Sequence, residues 1–454
     1  MRNFAVGIQS ITSFQTKKDM QKRLLFCACI GMLCAADAAA QTQRSMTIDE
    51  LFGLVETGSK TLRMQKTGVD VAIRGIEEAR SRRLPDINAS LAASYNGNVL
   101  MTDRDFGNTH GLSQPHFGNS FALEAQQVVY AGGAISSGIR LAELQRAQSE
   151  NAVEMTRNQM RFIALGQYLE LLKLENGIKV YDSNIALTEK LIADIKSRQA
   201  QGMALKNDVT RYELQMESLK LGKRRLEDQK SIMNHQLCNT IGLENTVVVP
   251  SMTLDNMEDD NLMEKDLQAE AAGNSPQIRQ AALGVKMAEQ QLKLAKSEML
   301  PKVAIVAADN FTGPFNYDIP PIDKNFNVWY VGVGVKYSIS SLFKSNKSVR
   351  KAKEQLRQSH DTHAMAGEAV DNSMQQAYTM HRQAFAELHT QQKSVELAQQ
   401  NYTVVNNRYL NQLALITDMI DASNIKLNAE LQEINARINI AYTYYNIRYV
   451  AGSI

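Results

Sequence analysis

The sequence predicts a mainly α-helical chain with a smaller share of β: two long helical hairpins and four β-strands, laid out as two copies of one unit. Three observations carry this. Arg198 to Asp208 (RQAQGMALKND) lies over Arg408 to Asp418 at an offset of 210, matching Arg198 with Arg408, Ala204 with Ala414, Leu205 with Leu415 and Asp208 with Asp418. Ser59, Leu62, Arg63, Val69, Ala79, Ser81 and Leu84-Pro85 recur at an offset of 216 as Ser275, Ile278, Arg279, Val285, Ala295, Ser297 and Leu300-Pro301. Each Leu-Pro is followed by residues that alternate with period two, then by a long proline-free stretch. Self-similarity at a nearly fixed offset is the mark of an internal duplication.

The chain has 454 residues, 44% hydrophobic and 22% charged, with a formal charge of +2. That is ordinary globular composition and gives no reason to expect nucleic acid. Lys17, Lys18, Lys22 and Arg23 precede an apolar run from Leu24 to Ala36, and Ala38 and Ala40 form an A-x-A site. Residues 1–40 therefore read as a secretory signal peptide, too short in its apolar part to span a bilayer. Its removal takes away five basic and two acidic residues, which moves the formal charge from +2 to −1. It also takes Cys27, Cys29 and Cys34, leaving Cys238 alone, so no intrachain disulfide forms. Phe26 and Leu33 are too bulky for a lipid-attachment site, and no lipid anchor is expected. No apolar stretch of about 18 residues follows, which leaves the periplasm, the exterior, or an outer membrane crossed by β-strands.

The first repeat (41–242) opens with a short helix behind a Thr47–Glu50 capping box. A second helix, from about Ser59 to Arg83, stops at Leu84-Pro85, because the residue before proline resists the helical region. Ile87, Ala89, Leu91, Ala93 and Tyr95 then alternate with Asn88, Ser90, Ala92 and Ser94. A loop from Asn96 to Asn119 leads to a returning strand, Phe121 to Tyr130, and Gly132-Gly133 return the chain to helix. From Ala134 to the first tip runs about 67 residues without proline, roughly 100 Å of helix. Val209, Tyr212, Met216 and Leu219 form a coiled-coil stripe on the returning arm.

A connector (243–266) follows, with a β-like run at Val247 to Val249, Pro250 and an acidic cluster, Glu258 to Asp260. The second repeat (267–454) starts at Ser275, a good N-cap, and Pro276, which suits the first helical position. Strands are expected at Val303 to Asp309 and Val328 to Ile339, around a loop with Gly313, Pro314, Pro320 and Pro321. In the last strand Trp329, Val331, Val333, Val335, Tyr337 and Ile339 face one way, and Gly332, Gly334, Lys336 and Ser338 the other. That suits a transmembrane barrel strand, and equally a half-buried strand of a soluble sheet. The second returning arm carries Leu427, Leu431, Ile434, Ile438, Ala441 and Tyr445 at coiled-coil spacing.

Four strands cannot close a barrel, whose smallest membrane form needs about eight. If these strands enter a membrane, several chains contribute. The order of helix, Leu-Pro, strand, loop, strand and long hairpin, twice over, with its matching tips, resembles the TolC-type outer-membrane efflux protein family across essentially the whole mature chain. The resemblance implies a homotrimer. Three chains would build a 12-stranded outer-membrane β-barrel, continued by an α-helical barrel across the periplasm. The implied partners are a periplasmic adaptor (membrane fusion) protein, an inner-membrane transporter and outer-membrane lipid.

By that resemblance Asp418 and Asp421 line a periplasmic constriction. Three copies of each near one axis would repel, favour bound cations and bias the pore toward them. Asp208, their counterpart at the first tip, is a further candidate for the constriction; the alternative is that Asp418 caps the returning helix, where a carboxylate meets the positive dipole end, and Asp208 is expected chiefly to do that. The tips Gly202, Met203, Ala204 and Leu205, and Gln412, Leu413, Ala414 and Leu415, carry apolar groups at a chain reversal. That suits docking of the adaptor, or self-packing within the trimer.

No catalytic set, cofactor loop or metal site is visible. His110 and His116 fall in the first loop. His360 and His363 could share a helix face with a metal or simply with water, and the 17 methionines beyond the leader show no cluster. The function expected is a passive exit duct of a tripartite pump for small toxic molecules. The alternatives are the outlet of a type I protein secretion system and a soluble coiled-coil scaffold or adhesin.

Overall fold

A computed structural model describes residues 42–252, 273, 275–316 and 321–454. The expected leader with Cys27, Cys29 and Cys34, the acidic cluster Glu258 to Asp260 of the connector, and Pro320 lie outside the described residues. The elements run β1 (Thr42–Met46), α1 (Ile48–Gly58), α2 (Lys60–Ser81), β2 (Asp86–Tyr95), β3 (Val99–Met101), β4 (His110–Leu112), β5 (Phe117–Tyr130), α3 (Ala134–Ala200), α4 (Lys206–Ile241), β6 (Thr246–Pro250), α5 (Pro276–Ser297), β7 (Lys302–Gly313), β8 (Phe326–Lys336), α6 (Ser341–Leu410) and α7 (Ile416–Ala451). The 67-residue α3 and the 70-residue α6 are the two long arms. No helix among the described residues is long and apolar enough to cross a membrane.

The chain divides into two compact units. The first comprises Met1–Ser59, Ala164–Asn256 and Gln391–Ile438. Here β1 pairs in parallel with β6, Thr42 opposite Thr246 through Met46 opposite Pro250. The buried Tyr168 clasps this ribbon: its hydroxyl donates to the Met46 carbonyl at 2.8 Å and accepts from the Ser251 and Met252 N–H groups at 3.0 and 3.3 Å. On the other edge of β6, the Asn234 amide donates to the Thr246 carbonyl and accepts from the Val248 N–H, both at 2.8 Å, replacing a third strand. Gly58 and Gly242 let α1 meet the end of α4; a Cβ on Gly58 would stand 1.8 Å from the Ile241 carbonyl oxygen. Only half of the Thr47–Glu50 capping box forms. The Thr47 hydroxyl accepts from the Glu50 N–H at 3.3 Å, while the Glu50 carboxylate turns to the Arg44 guanidinium, a stronger partner than a backbone N–H.

The second unit comprises Lys60–Ile163, Met257–Thr390 and Asn439–Ile454. Its sheet is antiparallel, in the order β2-β5-β7-β8, so the returning strand of the first repeat pairs with the opening strand of the second. Two strands are longer than the sequence indicates, β5 starting at Phe117 and β7 reaching Gly313. The loop between β2 and β5 holds a small hairpin, β3–β4, that alternation over so few residues does not reveal. Gly132, at φ +62°, makes the turn into α3, and a Cβ there would lie 2.8 Å from the Ser297 carbonyl oxygen.

Register places Ile87, Leu91, Tyr95, Phe121, Leu123, Ile305, Phe311, Trp329, Val331, Val333 and Val335 on one face of the sheet. These side chains are exposed, Trp329 at 72%. The alternation departs from expectation twice. Asp309 interrupts the apolar face between Leu123 and Trp329, and Val328 and Tyr330 stand on the opposite face with Gly332, Gly334 and Lys336.

Helices α6 and α7 meet in this unit around Val370, Met374, Ala377, Tyr378, Ile447 and Ala451, all buried. The stripes expected on the returning arms fall largely inward: Val209, Tyr212, Met216 and Leu219 are buried, as are Leu427, Ile438 and Ala441.

Candidate functional site: the hairpin tips

Both tips lie in the first unit and are built alike. At the first, Gly202 takes φ +74° and the Met203 N–H bonds the Arg198 carbonyl at 2.9 Å. At the second, Gln412 takes φ +61° and the Leu413 N–H bonds the Arg408 carbonyl at 2.8 Å. A bond spanning the left-handed residue closes the end of each long arm as a Schellman-type cap. The two returning helices start alike too. Asp208 accepts from the Leu205 N–H at 3.1 Å and Asp418 from the Leu415 N–H at 3.0 Å. The sequence offset of 210 thus corresponds to one local geometry used twice.

Behind the tips the ends of four helices share one core, with Ile195, Val209, Tyr212, Tyr402, Ile416, Met419 and Ala422 buried together. Ala204 packs onto this core, whereas Leu205 and Leu415 each stand 70% exposed, beside exposed Met203 and Leu413. The expected tip residues thus separate: Ala204 and Ala414 are half-buried, and Gly202, Met203, Leu205, Gln412, Leu413 and Leu415 face out. The Arg198 guanidinium reaches from the first tip to the Leu410 carbonyl of the second hairpin at 3.0 Å. This bond ties the first tip to the second hairpin.

Asp418 and Asp421 are exposed, one helical turn apart on α7, while Met419 and Ala422 on the other side enter the core. Asp418 already serves the helix as a cap; Asp421 lies beyond the first turn. The sequence reading passed over the tyrosines here as a site. Burial holds Tyr212, Tyr402 and Tyr409 above the usual tyrosine range, and the nearby Asp208 charge pushes Tyr409 further up. The Tyr212 hydroxyl is buried without a partner.

Deeper in the hairpins a polar layer crosses between them. Asn184 donates to Glu430 at 3.0 Å and Gln215 donates to the Asn424 side-chain oxygen at 2.7 Å, while within the second hairpin Lys426 stands 5.0 Å from the Tyr402 ring centre. Asn424 and Glu430, set among the apolar positions of α7, were the available signal. Among the described residues no group of three or more His, Cys, Asp or Glu is disposed to hold a metal ion. His116 stacks on Tyr95 at 5.3 Å.

Residues 267–453, which span the second repeat, match the family described as outer membrane efflux protein. Over that stretch the chain is similar to the outer membrane efflux proteins. No curated protein matches it. Among solved structures it is similar to the outer membrane protein VceC of Vibrio cholerae, at 14% identity and a TM-score of 0.69 over 89% of this chain and 96% of that one. It is also similar to the CmeC outer membrane channel of Campylobacter jejuni, at 13% identity and TM-score 0.71, over 89% of this chain and 85% of that one. The MtrE outer membrane channel of Neisseria gonorrhoeae, solved in its open state, gives 15% identity and TM-score 0.68, over 89% and 88%. Likeness at these identities carries the fold, and the family match reaches the second tip with Asp418 and Asp421.

Proposed function

We propose that three copies of this chain form an outer-membrane duct, the passive exit of a tripartite pump that exports small toxic molecules. The observation that carries this is the sheet. It shows an exposed apolar face, and its outer strands β2 and β8 each lack a second partner among the described residues. Unpaired edges are stable in lipid only if another chain closes them, and three four-stranded sheets make a barrel of twelve. The helical hairpins then extend into the periplasm. Their tips dock a periplasmic adaptor through Met203, Leu205, Leu413 and Leu415, and an inner-membrane transporter supplies the energy. Asp421, with Asp418, lines the periplasmic constriction; the cap bond of Asp418 makes Asp421 the freer of the two to meet permeating ions.

Export of a fluorescent cationic dye from cells tests the reading. Cells lacking the protein should retain dye, and the wild-type chain should restore export. Leu205→Asp with Leu415→Asp should abolish export while the purified variant still conducts ions in a bilayer. Export at the wild-type rate by that variant would remove the tips from the docking surface.

A further inference from the structure

Where β8 ends, the second unit passes from an exposed apolar face to a run of positive charge. No acidic residue lies between Asp323 and Glu354, and five of the ten residues from Lys344 to Lys353 are cations, in a chain whose formal charge is only +2. All five are exposed on the opening turns of α6. At the same end of the sheet, on its other edge, Arg82 and Arg83 stand exposed in the turn from α2 to β2. Arg80 is held by Glu143 at 3.4 Å, but among the described residues no carboxylate pairs with Arg82, Arg83, Lys344, Lys347, Arg350 or Lys351. Like charges three and four residues apart on a helix repel. Lys344 also lies in the first turn of α6, at the positive end of the helix dipole, where a cation is disfavoured.

The internal duplication shows that the helix does not need this charge to fold. At the offset of 210 that relates the tips, Val349 and Ala352 match Ile139 and Ala142 of α3, and all four are buried. The exposed positions of α6 diverge. Lys344, Lys347 and Lys351 stand where the first repeat has Ala134, Ser137 and Leu141. Arg350 matches Arg140, which Glu143 neutralises at 3.1 Å, and Glu143 itself stands where the second repeat has Lys353. Phe343, Lys347 and Arg350 fall on one stripe of α6, on the side away from Val349 and Ala352. Phe343 is 67% exposed and continues the exposed apolar run of Tyr337 and Ile339. An aromatic ring followed one to two turns later by unpaired cations is the order met on leaving a bilayer, with the ring at the interface and the charge at the level of the headgroup phosphates.

We propose that this basic surface docks the phosphate headgroups of anionic phospholipid in the leaflet of the outer membrane that faces the periplasm. The proposal rests on the duct reading, which sets the sheet in the membrane and the long helices outside it. Lys344, Lys347, Arg350 and Lys351 supply the charge, with their stems along apolar surface and their heads in the headgroup layer. When β8 of one copy closes on β2 of the next, Arg82 and Arg83 of that next copy join them, so assembly completes a basic belt.

Spin-labelled lipids test this, with the full chain reconstituted as a trimer in phosphatidylcholine vesicles. Labelled phosphatidylglycerol should associate with the protein roughly fivefold more strongly than labelled phosphatidylcholine, the effect of one cation at an anionic surface. The preference should shrink in about 1 M salt, which screens such contacts. Lys344→Gln with Lys347→Gln, Arg350→Gln and Lys351→Gln should lower the ratio toward one. Lys344→Arg with Lys347→Arg and Lys351→Arg should keep it, because charge rather than residue type does the binding. Trimer elution shows that both variants assemble. Equal association of the two lipids with the wild type would overturn the proposal and leave the duct standing. An undiminished preference in the Gln variant, with altered ion selectivity of the channel, would set the cations in the lumen and overturn it too. Protein that never enters the vesicles would overturn the duct reading, and this proposal with it.

Discussion

Asp208, Asp418 and Asp421 look alike in a sequence, and geometry divides them. The first two each hold an N–H at the start of a helix, so Asp208→Ala and Asp418→Ala should each cost about 0.5–2 kcal/mol in stability. Asp421→Ala should leave the melting temperature within a degree or two and change only ion passage. The duplication was legible in the residues, and so was the suspicion that Asp208 is a cap; that Asp418 makes the same bond became visible only with the backbone. Tyr212 adds a pH dependence. Its raised pKa means that the folded chain holds the phenolic proton more tightly than the unfolded chain does. This contribution is complete below about pH 10, where an unfolded tyrosine begins to titrate, and is lost as pH rises toward the folded value. Denaturant titrations from pH 8 to 11.5 should show a shallower alkaline decline in Tyr212→Phe than in wild type. At neutral pH the variant should be no less stable, because the hydroxyl it loses has no partner. Cys238 is buried, and burial raises its thiol above the ordinary range. Maleimide should label it slowly in the folded protein and rapidly after denaturation.

Among elements, the helices were the easiest to foresee. Proline at 85, 276 and 301 marked the bounds of the shorter helices, and the repeated tip motif marked the turning points of the long hairpins. The four long strands were legible from period-two alternation, although Asp309 and Tyr330 show that the pattern is less clean than one face apolar and one polar. Strand β1 was not legible. Its partner, β6, is some 200 residues away, and five polar-leaning residues carry no signal until that partner is beside them. The same distance hides Tyr168, which reads as one more apolar helix residue but bonds three backbone groups of this ribbon. Tyr168→Phe removes one donor and leaves the Met252 N–H short of an acceptor, while the Ser251 N–H keeps the Met46 carbonyl, so it should destabilise the first unit by about 1–3 kcal/mol. Limited proteolysis should then cut at the ribbon before it cuts the long helices. The ion pairs joining α3 to α4, Lys196–Glu213 at 2.8 Å and Lys223–Asp182 at 2.6 Å, are exposed and should contribute less than about 1 kcal/mol each.

At the scale of the whole molecule, one chain is an incomplete object. Among the described residues its sheet has two open edges and an exposed apolar face, and its tips display leucines to water. Sequence alone indicated that four strands cannot close, because counting strands needs no tertiary information. It did not show which strands are neighbours, and pairing of β5 with β7 makes both repeats parts of one sheet. Ser275 stands at the capping position that the residues indicate, yet its side chain makes no capping bond, which is recognised only in three dimensions.

The central claim is that this chain assembles into a conducting duct gated at the second tip. Single-channel recording of detergent-extracted protein in a planar bilayer, beside Asp421→Ala, tests it most directly. The account predicts small cation-selective steps for the wild type, and larger steps with weakened cation preference for the variant. Protein that stays soluble without detergent and never inserts would contradict the duct. Conductance and selectivity unchanged by Asp421→Ala would contradict the gate.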